Sequence, residues 1–415
     1  MSQISDSTNK SPLKATHPSA SQSRRAARNG VLHLCADLDY GDPARETVTL
    51  AVLTQRLGWR AMIASSGGAL VCESERAAVK HVRMPLDKHG VFANWRNRVH
   101  LEALVQREHP CLIHVHGLGP VEMGCRLSLQ HRLPLVVDFT QPLADIPSTH
   151  ILMTRITQTS CTVRVPTRMM AKHLTSTFQI NPAIISCVPP GVDLQSYNTA
   201  AISAERLHNL SRLWRLPEQA IVAVMPMPIE PDLGHTVFLQ ALAQIKKENI
   251  YSIMVGSDRN APGLRQEIEK KVEELGLNGK VIMPEVCTDW PAAFWLANVV
   301  VAANTAPRGQ NMEIVGAQAL GRPVIVTSVG ANEEMVLKDE TAWVLPPDNP
   351  TILAKALHDA AHMNTDQRVN LADNTRYFIE DAFPQANWFN GMMDVYAGLM
   401  GLNTAKPAGG STKVA

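Results

Sequence analysis

The chain has 415 residues, with 45% hydrophobic and 19% charged positions, so it is long enough for two ordinary domains, each burying its own core. Lys plus Arg (39) nearly equals Asp plus Glu (38), leaving a net charge of +1 and no global field to recruit nucleic acid or acidic lipid. The seven cysteines lie far apart with no C-x-x-C pair, which points to reduced thiols and argues against a disulfide framework; no metal site is expected.

Residues 1–28 are rich in Ser, Thr, Asn and Ala and carry Lys10, Lys14, Arg24, Arg25 and Arg28, the composition of a disordered basic tail. The polar start lacks the apolar segment of a secretory signal, and no apolar run approaches the ~20 residues of a spanning helix. The expected location is cytoplasmic, with peripheral contact at the inner face of the membrane as a further option. From residue 29, short apolar runs alternate with stretches of helical period, the pattern of βα units around a parallel sheet. Strands are predicted at 31–36, 60–65, 81–85, 111–116, 134–139, 161–166 and 184–189. Helices are predicted at 43–57, with Pro43 in the first turn, and at 92–108. A Pro-Gly break at VPPGVDLQSYN (188–198) ends this half, so a first Rossmann-like domain is assigned to 29–198.

The pattern restarts with a helix at 204–216 and strands at 221–227, 251–256, 280–284, 298–303, 323–328 and 342–346. A second Rossmann-like domain is assigned to 199–384. Three closing helices, 351–362, 365–378 and 385–402, have no strand to connect, and the last is a candidate for crossing back to the first domain. Residues 403–415 read as a second disordered tail.

The runs VPPGVDL (188–194) and AQALGRPVIVTSVGANEEMVLKDETAWVLPP (317–347) closely resemble retaining glycosyltransferases of family 4. IASSGGALV (63–71), WRLPE (214–218) and IMVGSD (253–258) extend the resemblance, in the family's order, over about residues 31–400. It implies the GT-B fold: an α/β architecture of two doubly wound, Rossmann-like domains facing a central cleft, the first on the acceptor side and the second on the donor side. A nucleotide-sugar donor, a glycan or lipid-linked acceptor, envelope polysaccharide or lipopolysaccharide assembly, and no metal or other cofactor are implied with it.

The cleft positions depart from the family. The family holds the donor diphosphate with an Arg and a Lys in the loop after the first strand of the second domain; here, in PMPIEPDLGH (226–235), these positions carry Pro228 and Leu233. No Lys or Arg lies between Arg215 and Lys246, and Glu230 and Asp232 would repel a diphosphate. The family's two glutamates with seven residues between them map to Arg308 and Gly316. Glu313, one turn before Gly316, and Gly330 and Glu334 complete the donor-side candidates. On the acceptor side the candidates are Gly41 and Arg45 of the first loop, His116 at a strand end, and Thr140 where the family places a histidine. His114 and His116 have no carboxylate or Cys at ligand spacing in sequence. Trp290 and Trp295, at helical spacing, read as packing residues, and a helix cap explains Glu334 as well as a donor contact does. Three readings follow: a homologue with impaired or lost sugar transfer, an active transferase using Arg308, Arg45 and Glu313 in a rearranged site, and a non-catalytic subunit that binds another envelope enzyme.

Overall fold

The computed structural model describes residues 30–39, 41–86 and 91–402; the two predicted tails, 1–28 and 403–415, lie outside them. The first half contains β1 (Gly30–Cys35), α1 (Asp42–Arg56), β2 (Arg60–Ser65), α2 (Val71–Arg76), β3 (Lys80–Arg83) and α3 (Val91–Glu108). It continues with β4 (Leu112–His116), α4 (Val121–His131), β5 (Leu135–Asp138), α5 (Pro147–Thr157), β6 (Cys161–Val165), α6 (Arg168–Phe178) and β7 (Ile185–Cys187). The seven strands form one parallel sheet in the order β3-β2-β1-β4-β5-β6-β7. Central strands such as LIHVH (β4) are buried at every position because helices cover both faces.

The second half contains α7 (Ala204–Leu213), β8 (Ile221–Met225), α8 (His235–Gln244), β9 (Ile250–Met254), α9 (Leu264–Glu274) and β10 (Val281–Ile282). After these come α10 (Trp290–Leu296), β11 (Val299–Ala302), α11 (Met312–Ala319), β12 (Val324–Thr327), β13 (Ala342–Leu345) and α12 (Pro350–Ala361). Its six strands form a second parallel sheet, β10-β9-β8-β11-β12-β13. In each sheet the strand order reverses beside the first strand, between β1 and β4 and between β8 and β11. The loops at the carboxyl ends of those strands are where open α/β sheets bind ligands. Here they are the segments after Cys35, His116, Met225 and Ala302.

The closing helices are α13 (Thr365–Ala382) and α14 (Gln385–Leu399). A capping box at Asn364 and Gln367 opens α13, which runs four residues past the predicted end because Ile379 is buried against Val192, Val315 and Met335. Between α13 and α14 the chain passes Val192, whose N–H donates to Phe383 O (2.8 Å) and whose carbonyl accepts from Gln385 N (3.0 Å). Gly191 is required there, since a Cβ would stand 2.6 Å from Gln385 Cα. Beyond this crossing, Trp388, Met392 and Tyr396 of α14 pack with Val31, Leu50, Leu112 and Val136 of the first half. Among the described residues no helix is long and apolar enough to cross a membrane.

Candidate functional site

The two halves meet through loops at the carboxyl ends of their strands, with several specific polar contacts between them. Arg259, after β9, pairs with Asp39, after β1, at 2.5 Å. The loop after β11 lies against the first half: Gly309 N donates to Gln141 Oε1 (3.1 Å), Thr167 Oγ1 donates to Gly309 O (3.1 Å), and Gln310 Nε2 donates to Glu46 Oε1 (2.8 Å). Gly309 approaches so closely that a Cβ would stand 2.3 Å from Thr140 O and 2.8 Å from Met170 Sδ. Only a residue without a side chain fits.

Glu334, in a 3₁₀ turn of the second half, spans the same gap. Its carboxylate accepts from Arg168 N (2.8 Å) and Met169 N (2.7 Å), the first amides of α6 in the first half. Those N–H groups have no partner within their own helix, and the helix N-terminus is electropositive, so a carboxylate satisfies both requirements. Glu334 thus caps a helix of the other half of the chain and not one of its own. Gly330, with φ +67°, places this turn beside Arg308, where a Cβ would stand 2.4 Å from Arg308 N.

In the second half, the loop after β8 carries no Lys or Arg. Leu233 is buried in the second core and Pro228 is half-buried. Glu230 accepts from Asn260 Nδ2 (2.6 Å), and the Asp232 carbonyl accepts from Thr305 N (2.8 Å). The nearby cations have other partners: Arg259 pairs with Asp39, and Arg265 donates to Gly256 O (2.7 Å) and Met283 O (3.0 Å). Gly234 must be glycine for packing, since a Cβ would lie 1.9 Å from Ala303 O.

The position expected for the second family glutamate is closed by an aromatic ring. A Cβ at Gly316, on α11, would stand 2.7 Å from Tyr197 Cε1 and 3.2 Å from Phe294 Cε2. Tyr197 follows the interdomain crossing, and nothing local in the sequence ties it to residue 316. Glu313 sits half-buried in the first turn of α11. Arg308 is half-buried with its Nε enclosed and without a hydrogen-bond acceptor among the described residues.

In the first half, Gly41 is the exposed N-cap of α1 with φ +139°. Arg45 pairs with Glu73 at 2.5 Å, both about half exposed, the geometry of a surface ion pair. Thr140 is buried, and its carbonyl lies against Gly309. His116 is buried in the core and not on an open wall. Trp290 stacks on Phe294, and Arg322 lies 3.7 Å above the Trp295 ring, so both tryptophans pack, as their spacing suggests.

A buried polar network behind the first switch point is the feature that sequence reading missed. Arg164 of β6, fully enclosed, donates to Glu46 Oε2 (2.8 Å), to both oxygens of Asp138 (3.0 and 3.1 Å) and to Val188 O (2.9 and 2.7 Å). Burial works against its charge, yet Asp138 and Glu46 together hold the guanidinium above its ordinary pKa. Burial pushes the Asp138 carboxyl up to about 7, against the pull of Arg164. Three buried histidines lie beside it, with His114 Nε2 and His116 Nδ1 each 3.9 Å from Asp138 Oδ2. His33 and His116 share a 3.0 Å hydrogen bond, and His114 Nδ1 shares one of 2.8 Å with the Tyr396 hydroxyl of α14. Burial lowers His33 to about 3 and holds His114 and His116 well below the usual imidazole value, so all three are neutral. Hydrogen bonds run from Gln310, in the loop after β11, through Glu46 and Arg164 to Asp138, and His114, 3.9 Å from Asp138, bonds Tyr396 of the closing helix. Alternating His33, His114 and His116 on neighbouring strands was the cluster's one sequence signal, and the parallel register that pairs His33 with His114 is what brings them together.

Two parallel sheets of this topology facing each other through the loops at the carboxyl ends of their strands define the GT-B class of glycosyltransferase. The "Glycosyltransferase Family 4" model matches residues 44–196 and the "Glycosyl transferases group 1" model matches residues 218–362, and the chain belongs to this family. It is 31% identical over 189 residues to a D-inositol 3-phosphate glycosyltransferase of Segniliparus rotundus, covering 43% of this chain and 39% of that one. It is 25% identical over 225 residues to the lipopolysaccharide 1,2-N-acetylglucosaminetransferase of Salmonella typhimurium, covering 50% and 54%. The matches thus span roughly two fifths to one half of these relatives' lengths. The fold is shared with a Rickettsia africae glycosyltransferase (TM-score 0.80, 18% identity, 90% of this chain and 99% of that one). It is also shared with Anabaena HepE, solved with UDP and glucose (TM-score 0.79, 18% identity, 88% and 99%).

Proposed function

We infer that this chain is a family 4 homologue, from envelope polysaccharide or lipopolysaccharide glycan assembly, whose sugar transfer is lost or strongly impaired. The observation that carries this reading is the loop after β8, which presents Pro228, Glu230, Asp232 and a core-buried Leu233 where a diphosphate leaving group needs cations. Charge builds on that leaving group in the transition state, and removing one preorganised stabilising group costs about 3 kcal/mol. Two further features support the same reading: Tyr197 fills the space at Gly316, and the Glu334 carboxylate is engaged by α6. Calorimetric titration with UDP, GDP and ADP and their sugars tests it, followed by turnover assays. Weak or absent binding and no transfer are expected. Transfer from any of these donors at an ordinary enzymatic rate would overturn the proposal.

One observation favours a second reading, an active site rebuilt on Arg308: the enclosed Nε of this residue has no acceptor among the described residues, and a ligand anion would supply one. If a donor does turn over, Arg308→Ala should abolish transfer while the urea midpoint of the protein stays within error of the parent. Unchanged transfer in that variant removes the second reading. A protein partner remains the third, and gentle affinity purification that recovers the chain alone counts against it.

A further inference from the structure

We propose that Glu248, His358 and His362 form a surface binding site for one divalent transition-metal ion of the zinc class, at the end of the second half opposite the cleft. His358 lies in the last turn of α12 and His362 caps its C-terminus, one turn apart on one face of the helix. Glu248 sits in the loop between α8 and β9, 110 residues earlier in sequence than His358. The fold places its carboxylate between the two rings: His358 Nδ1 is 2.8 Å from Oε1 and His362 Nε2 is 3.2 Å from Oε2.

The three ligand atoms all fall within 4.8 Å of one another. Tetrahedral zinc, at bond lengths of about 2.0–2.1 Å, needs donor atoms roughly 3.3 Å apart, so a centred ion requires small adjustments and no backbone movement. The ring centroids, 4.4 Å apart with planes tilted by 52°, bring both imidazoles to the same side of the helix. Two imidazoles and one carboxylate suit zinc, cobalt, nickel or copper, whereas magnesium and calcium prefer all-oxygen shells. The side chains are about half exposed for the histidines and 24% exposed for Glu248, so an ion can enter, and a fourth position stays open to water.

The backbone under the site is braced independently of any ion. Lys280 Nζ donates to Glu248 O, Glu248 N donates to Ile245 O (2.9 Å), and the Arg368 guanidinium holds the last carbonyls of α12, Ala360 O (3.1 Å) and Ala361 O (3.0 Å). The geometry therefore suits a staple joining α12 to the α8–β9 loop. Glu248 precedes the amino end of β9 and the histidines stand at the C-terminus of α12. Both lie far from the strands' carboxyl ends, so the staple would act on stability and not on the cleft.

The full chain, stripped with a chelator, would be titrated with zinc chloride calorimetrically and with cobalt(II) by visible absorption. One ion per chain with a roughly micromolar Kd, a raised Tm and the intense ligand-field bands of a tetrahedral cobalt centre are expected. His358→Ala/His362→Ala should weaken zinc binding at least roughly tenfold and remove the cobalt bands, while the exposed control His208→Ala leaves both unchanged. Should the double variant fail to fold, Glu248→Gln, which keeps the side-chain shape, carries the same expectation. Zinc binding that survives these substitutions, or no binding below about 100 μM in the parent, overturns the proposal.

Discussion

Arg164→Met is the sharpest test of how the first half is held together. The substitution keeps an unbranched apolar stem and removes a fully enclosed guanidinium that makes contacts of 2.7–3.1 Å to Glu46, Asp138 and Val188 O. Two buried carboxylates and a carbonyl are then left without their shared donor. Removing one partner of a buried ion network costs about 3–5 kcal/mol, whereas replacing the whole network with apolar groups is often neutral. With each 1.36 kcal/mol worth a factor of ten, the folded-to-unfolded ratio should fall by roughly two to four powers of ten. Urea unfolding followed by circular dichroism reads this as a lower midpoint of the first transition. Glu46→Gln/Asp138→Asn on top of Arg164→Met removes the stranded charges and should recover part of the loss. A single-variant loss below about 1 kcal/mol, or no recovery in the triple variant, would refute the claim that the network is a paired, desolvated unit.

Acidification should destabilise the fold through the same network. His33, His114 and His116 have folded pKa values below the unfolded value of about 6.5, so their contribution is complete above pH 6.5 and is lost as pH falls from there toward the folded values. Asp138, raised to about 7, acts in the opposite direction, because the folded state holds its proton where the unfolded state does not. Three imidazoles against one carboxyl leave a net loss of roughly 3 kcal/mol between pH 6.5 and 5, and urea midpoints in His116→Asn should fall less steeply over that range; equal slopes would count against the neutral trio. Gly316→Glu, which places a glutamate where the resemblance implies one, should cost about 1–3 kcal/mol because its Cβ meets Tyr197. Adding Tyr197→Ala should relieve part of that cost, and strictly additive thermal shifts would refute the clash. In Glu334→Ala the amides of Arg168 and Met169 lose their acceptor, so their hydrogen exchange should speed up, with about 1 kcal/mol lost at the helix start. Unchanged exchange at those two amides would show that the contact is dispensable.

Much of the architecture is legible because buried parallel strands and amphipathic helices are local patterns. IVAVM, NVVVA and PVIVT read as strands before any contact is known, and β8, β11 and β12 occupy them. Boundaries were less secure where packing intervened, as in α13, extended to Ala382 by the burial of Ile379. The absence of any Lys or Arg from the loop that carries Pro228 and Leu233 was likewise visible in the chain alone. What closes the position at Gly316, where the resemblance implies a glutamate, was not, since Tyr197 and Gly316 are 119 residues apart in sequence and meet only when the crossing at Val192 has brought the segment across.

Composition and periodicity by themselves determined the two α/β halves, while short motifs carried the glycosyltransferase resemblance and the sequence showed no Lys or Arg between Arg215 and Lys246, all properties of contiguous segments. Tertiary structure alone decided that Glu334 caps α6, that Gln310 reaches Glu46, that three histidines and Arg164 share one core, and that Glu248 meets His358 and His362. Each of these joins residues tens to hundreds of positions apart. Such contacts depend on strand order and helix docking, which hydrophobic burial selects over the whole chain and no local pattern encodes.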